Sequence, residues 1–211
     1  MTKGKEKYFY SVPDKKVMEI KIKRSIFICS IGFTETIKQA KAFISGISSE
    51  HKNATHNCWA YIVGDRGETS HCSDAGEPSG TAGQPMLNTL KSYNTTNIAA
   101  VVTRHYGGVK LGIKGLINAY SGTVQKTLEQ KKLIKLVKTE IFHIKTGYSY
   151  NDTLMYQLDK YSGTILNTDY SEKVSCEFEV EKQDCEKLEK YLLGLQNSGT
   201  IQYSKLYKGL I

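Results

Sequence analysis

The protein has 211 residues, of which 39% are hydrophobic and 24% charged, and its formal net charge at pH 7 is +8. This length and composition can bury an ordinary core in one large or two small domains. No stretch approaches the ~20 apolar residues of a membrane span and the N-terminus lacks the apolar segment of a signal peptide, so we expect neither a membrane protein nor an exported one. Five cysteines without CxxC spacing indicate reduced thiols and a cytoplasmic location.

Positive charge is concentrated in the first part of the sequence. Residues 1–135 hold 20 Lys and Arg against 10 Asp and Glu, whereas residues 136–211 hold 9 against 11. Such asymmetry indicates that the N-terminal part contacts a polyanion, most commonly a nucleic acid. The alternative is that these charges only keep the surface solvated.

The sequence pattern of residues 1–135 predicts an N-terminal α+β domain. Residues 17–32 are typical of two short strands around Lys23 and Arg24, and the following helix has an apolar face and Thr34 as its N-cap. Two strands joined by the turn DRG come next. A helix from Pro85, a fully apolar and therefore buried strand, and a long helix complete the domain.

Residues 136–211 predict a second domain, because the pattern restarts near Leu136 as strand, helix, strand, strand, helix and strand. This βαββαβ order is typical of the ferredoxin-like fold, a four-stranded antiparallel sheet backed by two helices. Asn151 and Asp184 are the expected N-caps of the two helices. The predicted fold class is therefore α+β with two domains.

Two glycine-rich stretches each follow a predicted strand and precede a predicted helix. They are residues 73–85 (SDAGEPSGTAGQP) and 103–115 (TRHYGGVKLGIKG), and we call them the first and second glycine loops. In the order strand, glycine loop and helix, the backbone N–H groups of the loop and the positive end of the helix dipole can bind an anion. Because it occurs twice in one domain, we expect the two loops to form one composite site.

Four strings within residues 54–122 resemble the IMPACT/YigZ family in their order and separation: ATHNCWAY, SDAGEPSGTAGQPML, AAVVTRHYGGVKLG and GLINAYSG. The resemblance implies an N-terminal fold like the second domain of a small-subunit ribosomal protein and a C-terminal domain similar to an elongation-factor module. It also implies a role in translation, because the eukaryotic relatives are translational regulators that associate with ribosomes. His105 and the pair Lys114-Gly115 depart from the family pattern, and both departures add cationic or proton-donating capacity.

The first glycine loop offers both hydroxyls and carboxylates. Ser79, Gly80 and Thr81 can bind a phosphate oxygen through hydroxyl and amide groups. The carboxylates of Asp74 and Glu77 would repel that phosphate without a cation. The alternative interpretation is structural: the two carboxylates accept N–H bonds from the loop or the helix N-terminus and hold the turn.

The second glycine loop carries the stronger indication of binding. Arginine can hold a phosphate through two bonds, lysine adds a point charge, and tyrosine or histidine can stack on an unpaired base. Together with His56, the predicted binding residues here are Arg104, His105, Tyr106, Gly107, Gly108, Lys110 and Lys114. Arg104 can also pair with Asp74 or Glu77, and we expect such a clamp inside a surface whose exposed lysines contact RNA.

These features predict a cytoplasmic, translation-associated regulatory protein that binds RNA or the ribosome through the basic glycine-rich face of its N-terminal domain. The alternative is a small-molecule enzyme, a hydrolase or phosphoryl-transfer enzyme, if His56, Asp74, Glu77 and His105 converge in a deep pocket. No Walker, HExxH, GxSxG or GxGxxG motif supports it, so no catalytic residue is assigned.

No cofactor or metal is predicted. The pairs His56-x-Cys58 and His71-Cys72 could form a set of zinc ligands, but the adjacent strand residues His71 and Cys72 point to opposite faces. The C-terminal domain lacks the aromatic pattern of RNA-binding ferredoxin-like domains, so we expect protein contact or domain docking rather than RNA binding.

Overall fold

The structure, a computed structural model, describes residues 9–130 and 132–206. These residues divide between Leu136 and Val137 into two compact units. Each unit combines helices with β-sheet, and the predicted α+β class is confirmed. Within the described ranges, no helix is long and apolar enough to cross a membrane.

The N-terminal unit is built on a five-stranded antiparallel sheet with the strand order β2-β3-β6-β4-β5, next to a two-stranded sheet of β1 and β7. Its elements are β1 (Phe9–Ser11), β2 (Lys16–Ile22), β3 (Ser25–Phe33), α1 (Ile37–Glu50), β4 (His56–Val63), β5 (Thr69–Ser73), α2 (Gly83–Ser92), β6 (Ile98–His105), α3 (Gly112–Glu129) and β7 (Ile134–Leu136).

Helices cover both faces of the five-stranded sheet. α2 and α3 enclose the main core on one face, with Phe27 and Tyr120 among its fully buried members. α1 packs on the other face, where Ala40 lies against Tyr61 and Ala99. β6 is the central strand and is buried on both sides, which explains why its sequence is a continuous apolar run rather than an alternation.

The C-terminal unit has the predicted βαββαβ order. Its elements are β8 (Thr139–Thr146), α4 (Tyr148–Leu158), β9 (Gly163–Tyr170), β10 (Val174–Glu181), α5 (Lys182–Asn197) and β11 (Ile201–Leu206). The strands form one antiparallel sheet in the order β11-β8-β10-β9, the ferredoxin-like arrangement. The helices bury Leu154 and Leu188 against Phe142 and Phe178 of the sheet.

The start of α1 corrects the prediction that Thr34 is the N-cap. The cap is Thr36, whose hydroxyl accepts the Gln39 N–H at 3.2 Å while the Gln39 side chain accepts the Thr36 N–H at 3.2 Å. A glutamine three residues after the cap completes a capping box. Thr36 rather than Thr34 is the N-cap because Gln39 lies three residues after Thr36 and bonds to it.

The two helices of the C-terminal unit also begin elsewhere than predicted. The N-cap of α4 is Gly147, so Asn151 lies inside the helix. The N-cap of α5 is Glu181, and Asp184 in the first turn accepts the Ser162 N–H at 3.3 Å instead. Both helices therefore begin before the polar residue that the sequence suggested as their start, since sequence signals place a helix end only to within a few residues.

The expected strand from Leu136 is in fact two strands. Leu136 ends β7, which pairs with Phe9–Ser11 in the N-terminal unit, and β8 begins only at Thr139. Three-residue strands carry too few alternating positions to be recognised from sequence.

Candidate functional site

The first glycine loop folds around the carboxylate of Asp74. Its Oδ2 accepts the Gly80 N–H at 2.9 Å, and its Oδ1 accepts the N–H groups of Ala82 and Gly83 at 2.9 and 2.8 Å. Partial burial raises the pKa of Asp74, but the three N–H donors outweigh it and hold this pKa below its usual value. Asp74 thus has the structural role of holding the turn and capping the N-terminus of α2.

The groups predicted to hold a phosphate in this loop are only partly accessible. Thr81 is buried and its hydroxyl donates to the carbonyl oxygen of Pro78 at 2.6 Å. The Gly80 N–H is already bonded to Asp74. Ser79 is exposed, so its hydroxyl is the one that stays open to a ligand.

Arg104, at the end of β6, connects the two loops. Its Nη1 donates to Oε1 of Glu77 at 2.6 Å, and the two side chains are only 6% and 3% exposed. The predicted clamp is confirmed, with Glu77 rather than Asp74 as the partner. It is not a two-bond fork on the carboxylate, because Nη2 donates to the hydroxyl of Ser25 at 3.3 Å.

Tyr120 of α3 completes this buried network, and the sequence did not indicate it as a site residue. Its hydroxyl donates to Oε1 of Glu77 at 2.8 Å. Burial raises the pKa of Tyr120 far above its usual value, so the hydroxyl remains a donor. The network therefore joins the first glycine loop to β3, β6 and α3.

The guanidinium of Arg104 also lies over two aromatic rings. Its Cζ lies 5.4 Å from the ring centroid of Phe27 and 5.2 Å from that of Tyr106. Phe27 is fully buried, whereas Tyr106 is 44% exposed. Arg104 therefore contacts one ring of the core and one ring that is accessible at the surface.

The β2–β3 turn lies directly against the second glycine loop. A Cβ atom at Gly107 would stand 1.8 Å from the carbonyl oxygen of Arg24, and the Gly107 N–H donates to the Ser25 hydroxyl at 3.3 Å. This contact brings Lys23 and Arg24, both exposed, beside the loop. Sequence reasoning missed these two cations, although their position between two predicted strands was a signal for a basic turn.

The accessible part of the site is cationic and aromatic. We call it the basic face, and it consists of Lys23, Arg24, Tyr106, Lys110 and Lys114, all of which are exposed. Because three of these side chains come from the second glycine loop and two from the β2–β3 turn, the face is assembled from segments about eighty residues apart in sequence.

The remaining predicted residues surround this face. His105 is partly buried, with its ring centroid 6.4 Å from that of His51. His56 has its Nδ1 3.0 Å from the carbonyl oxygen of Ala75. Gly108 is exposed and has a φ of +82°, which allows the sharp turn after Gly107.

Two of the four side chains that the enzyme alternative requires already have structural partners. Glu77 is committed to its ion pair, and the oxygens of Asp74 accept backbone N–H groups. Across the described residues, no three His, Cys, Asp or Glu side chains are placed to hold a metal. A groove of about 440 Å³ lies between α2 and α3, lined by Gly80, Gln84, Pro85, Asn88, Thr89, Ser92, Ile117 and Ser121.

Comparison with known proteins identifies the family. The family model described as the Impact N-terminal domain matches residues 23–128. The chain is also 35% identical over 189 residues to "IMPACT family member YvyE" of Bacillus subtilis (strain 168), which covers 90% of this chain and 87% of that protein. The chain belongs to the IMPACT family. The resemblance to this family that the four sequence strings indicate is therefore confirmed.

Two further similarities extend over most of the chain. "IMPACT family member YigZ" of Escherichia coli (strain K12) is 37% identical over 151 residues, which cover 71% of this chain and 74% of that protein. A solved structure described as a hypothetical protein superposes with a TM-score of 0.65 at 29% identity and covers 95% of this chain and 97% of that one. The buried network and the basic face both lie within the residues matched by the IMPACT domain.

Proposed function

We propose that this IMPACT family protein is a cytoplasmic, translation-associated regulatory protein that binds RNA, free or within the ribosome, through the basic face. The observation that carries the proposal is the contact at Gly107, where the β2–β3 turn that contains Lys23 and Arg24 lies against the second glycine loop that contains Lys110 and Lys114. Clustered cations attract a phosphate backbone and release its counterions on binding. The regulatory part of the proposal follows from family membership and the translational role that the motifs imply.

The buried network supports the same function. Arg104 and Glu77 are enclosed and bonded to each other, so neither offers its charge to a partner. Their role in the proposal is to hold both glycine loops in one conformation. The lysines are then presented from a rigid support, which reduces the entropy lost on binding.

The proposal is tested by equilibrium binding of a labelled RNA over a series of KCl concentrations. Lys23→Ala, Lys110→Ala and Lys114→Ala should each weaken binding and reduce the slope of log affinity against log salt by about 0.7 per lost phosphate contact. Lys173→Ala is the matched control, since Lys173 is an exposed lysine in the C-terminal unit. A protein that binds no RNA and does not cosediment with ribosomes at low salt would contradict the proposal.

A further inference from the structure

We infer that Tyr106 is a stacking platform for an unpaired base, which makes single-stranded RNA the ligand class of the basic face. The inference rests on the proposed function, because it specifies which kind of RNA that face takes. It follows from how the Tyr106 ring is supported and from the cations that surround it.

The Tyr106 ring and backbone are held in place by contacts with Arg104 and Thr55. One face of the ring lies against the Arg104 guanidinium, whose Cζ is 5.2 Å from the ring centroid, and Arg104 itself is held by an ion pair with Glu77 at 2.6 Å and by the Phe27 ring at 5.4 Å. The Tyr106 backbone N–H donates to the Thr55 hydroxyl at 3.0 Å. Since the ring is already positioned, a base that stacks on it loses little additional freedom of the protein.

The Tyr106 side chain is accessible to a ligand. The residue is 44% exposed, although the guanidinium of Arg104 lies over its ring. A flat aromatic surface accepts any base, because every base has a π face. A cation under the ring also polarises it, which favours stacking of an electron-rich ring above.

Stacking on the Tyr106 ring requires an unpaired base. Bases within an A-form duplex are stacked on one another and cannot lie flat on a protein side chain, whereas bases of single strands, loops and bulges can be splayed out. Lys110 and Lys114 follow Tyr106 in the same loop, and Lys23 is exposed on the adjoining turn. These cations are placed to contact the phosphates that flank a stacked base.

The test compares two labelled RNAs of equal length, an unstructured single strand and the same strand paired with its complement in a blunt-ended duplex, with the full-length protein. The variants are Tyr106→Leu, which keeps an apolar cover over Arg104 but removes the ring, and Tyr106→Phe, which keeps the ring. The matched control is Tyr156→Leu, because Tyr156 is 66% exposed and also has a cation over its ring, Lys160 at 4.7 Å. Urea unfolding of each variant shows whether the fold is retained.

We expect wild-type protein to bind the single strand more tightly than the blunt-ended duplex. Tyr106→Leu should weaken single-strand binding about 5- to 100-fold with an unchanged salt slope, as expected for loss of one stacked base. Tyr106→Phe and Tyr156→Leu should bind like wild type. A 2-aminopurine placed in the single strand should be quenched by wild type and Tyr106→Phe, and not by Tyr106→Leu.

Two results would overturn the inference, and they are distinguishable. If RNA binding persists but the blunt-ended duplex binds as tightly as the single strand, or Tyr106→Leu leaves single-strand affinity and quenching unchanged, the stacking platform is wrong and the proposed function stands. If wild-type protein binds neither RNA, the proposed function fails together with the inference.

Discussion

Arg104 shows how a single residue can organise a site without being accessible to its ligand. It bonds to Glu77 and Ser25 and lies over the rings of Phe27 and Tyr106, yet it is only 5% exposed. Removing one partner of a buried ion pair leaves the other charge uncompensated, which is more costly than losing a surface pair. The consequences of substitution at this position are therefore mainly structural.

Arg104→Ala is expected to lower the free energy of unfolding by about 3–5 kcal/mol, because it leaves the Glu77 carboxylate buried without a cation. Arg104→Lys should recover only part of this loss, since one ammonium group cannot bond to Glu77, reach Ser25 and stack as the planar guanidinium does. Urea denaturation measures both. Arg66→Ala, at an exposed arginine, should have little effect, and an Arg104→Ala midpoint equal to that of Arg66→Ala would refute the prediction.

Asp74 makes stability depend on pH in a defined direction. Its pKa in the folded protein lies below the usual 3.8, so the carboxylate stabilises the fold above that value and the contribution is lost as pH falls through the folded-state pKa. In Asp74→Asn, an NH2 group replaces one of the two carboxylate oxygens, so either the Gly80 N–H or the N–H groups of Ala82 and Gly83 lose their acceptor. We expect the free energy of unfolding to fall by about 1 kcal/mol at neutral pH.

The measurement for Asp74 is the unfolding free energy of wild type and Asp74→Asn over a pH series. The difference between them should narrow below pH 3.8 as wild-type Asp74 is protonated. If the difference in unfolding free energy stays constant down to the lowest pH at which both proteins fold, the negative charge of Asp74 does not stabilise the loop and the prediction is wrong.

At the scale of elements, the basic face exists because the β2–β3 turn meets the loop between β6 and α3. The antiparallel register of β3 with β6 pairs Ile26 with His105 and Phe27 with Arg104. The start of β3 and the end of β6 therefore lie side by side, and the turn before β3 must contact the loop after β6. Gly107 allows this contact, since the carbonyl oxygen of Arg24 occupies the space of a Cβ atom.

Gly107→Ala is expected to destabilise the N-terminal unit by about 1–3 kcal/mol, because one of the two backbone segments must move. It should also weaken RNA binding by separating Lys23 from Lys110. The control is Gly122→Ala in α3, where a Cβ meets nothing within 4 Å and the helix should gain about 0.5–1 kcal/mol. Thermal unfolding and RNA binding of both variants test this, and equal behaviour of the two would exclude the close contact.

At the scale of the whole molecule, the chain divides into two compact units between Leu136 and Val137. Each has its own hydrophobic cluster, with Phe27 and Tyr120 in the first and Phe142 and Phe178 in the second. Separate cores are the physical requirement for independent folding. We propose on this basis that the units are autonomous domains, close to the boundary expected from the sequence.

Fragments 1–136 and 137–211, expressed separately, should each unfold in one cooperative urea transition. The first should retain the salt-dependent RNA binding of the full chain, because the whole basic face lies within it. Circular dichroism and RNA binding of the two fragments are the measurements. A second fragment without a cooperative transition would contradict autonomous folding, and loss of RNA binding by the first would place part of the interface elsewhere.

Local patterns in the sequence predicted much of this architecture. Alternation in residues 174–180 marks β10, the apolar run marks the buried β6, and the restart near Leu136 indicates the βαββαβ unit. The predictions of helix starts were less accurate, because Thr34, Asn151 and Asp184 are all competent caps by residue type. Which polar residue is used depends on a partner, as Gln39 provides for Thr36.

The sequence by itself determined the fold class, the family and the presence of two glycine loops with an arginine in one and carboxylates in the other. Only the tertiary structure decided that Arg104 pairs with Glu77 while Asp74 caps α2, that Tyr120 joins the pair, and that Lys23 and Arg24 belong to the same face as Lys110. The physical reason is distance along the chain. Periodicity and capping act over a few residues, whereas these contacts join segments that only the pairing of β3 with β6 brings together.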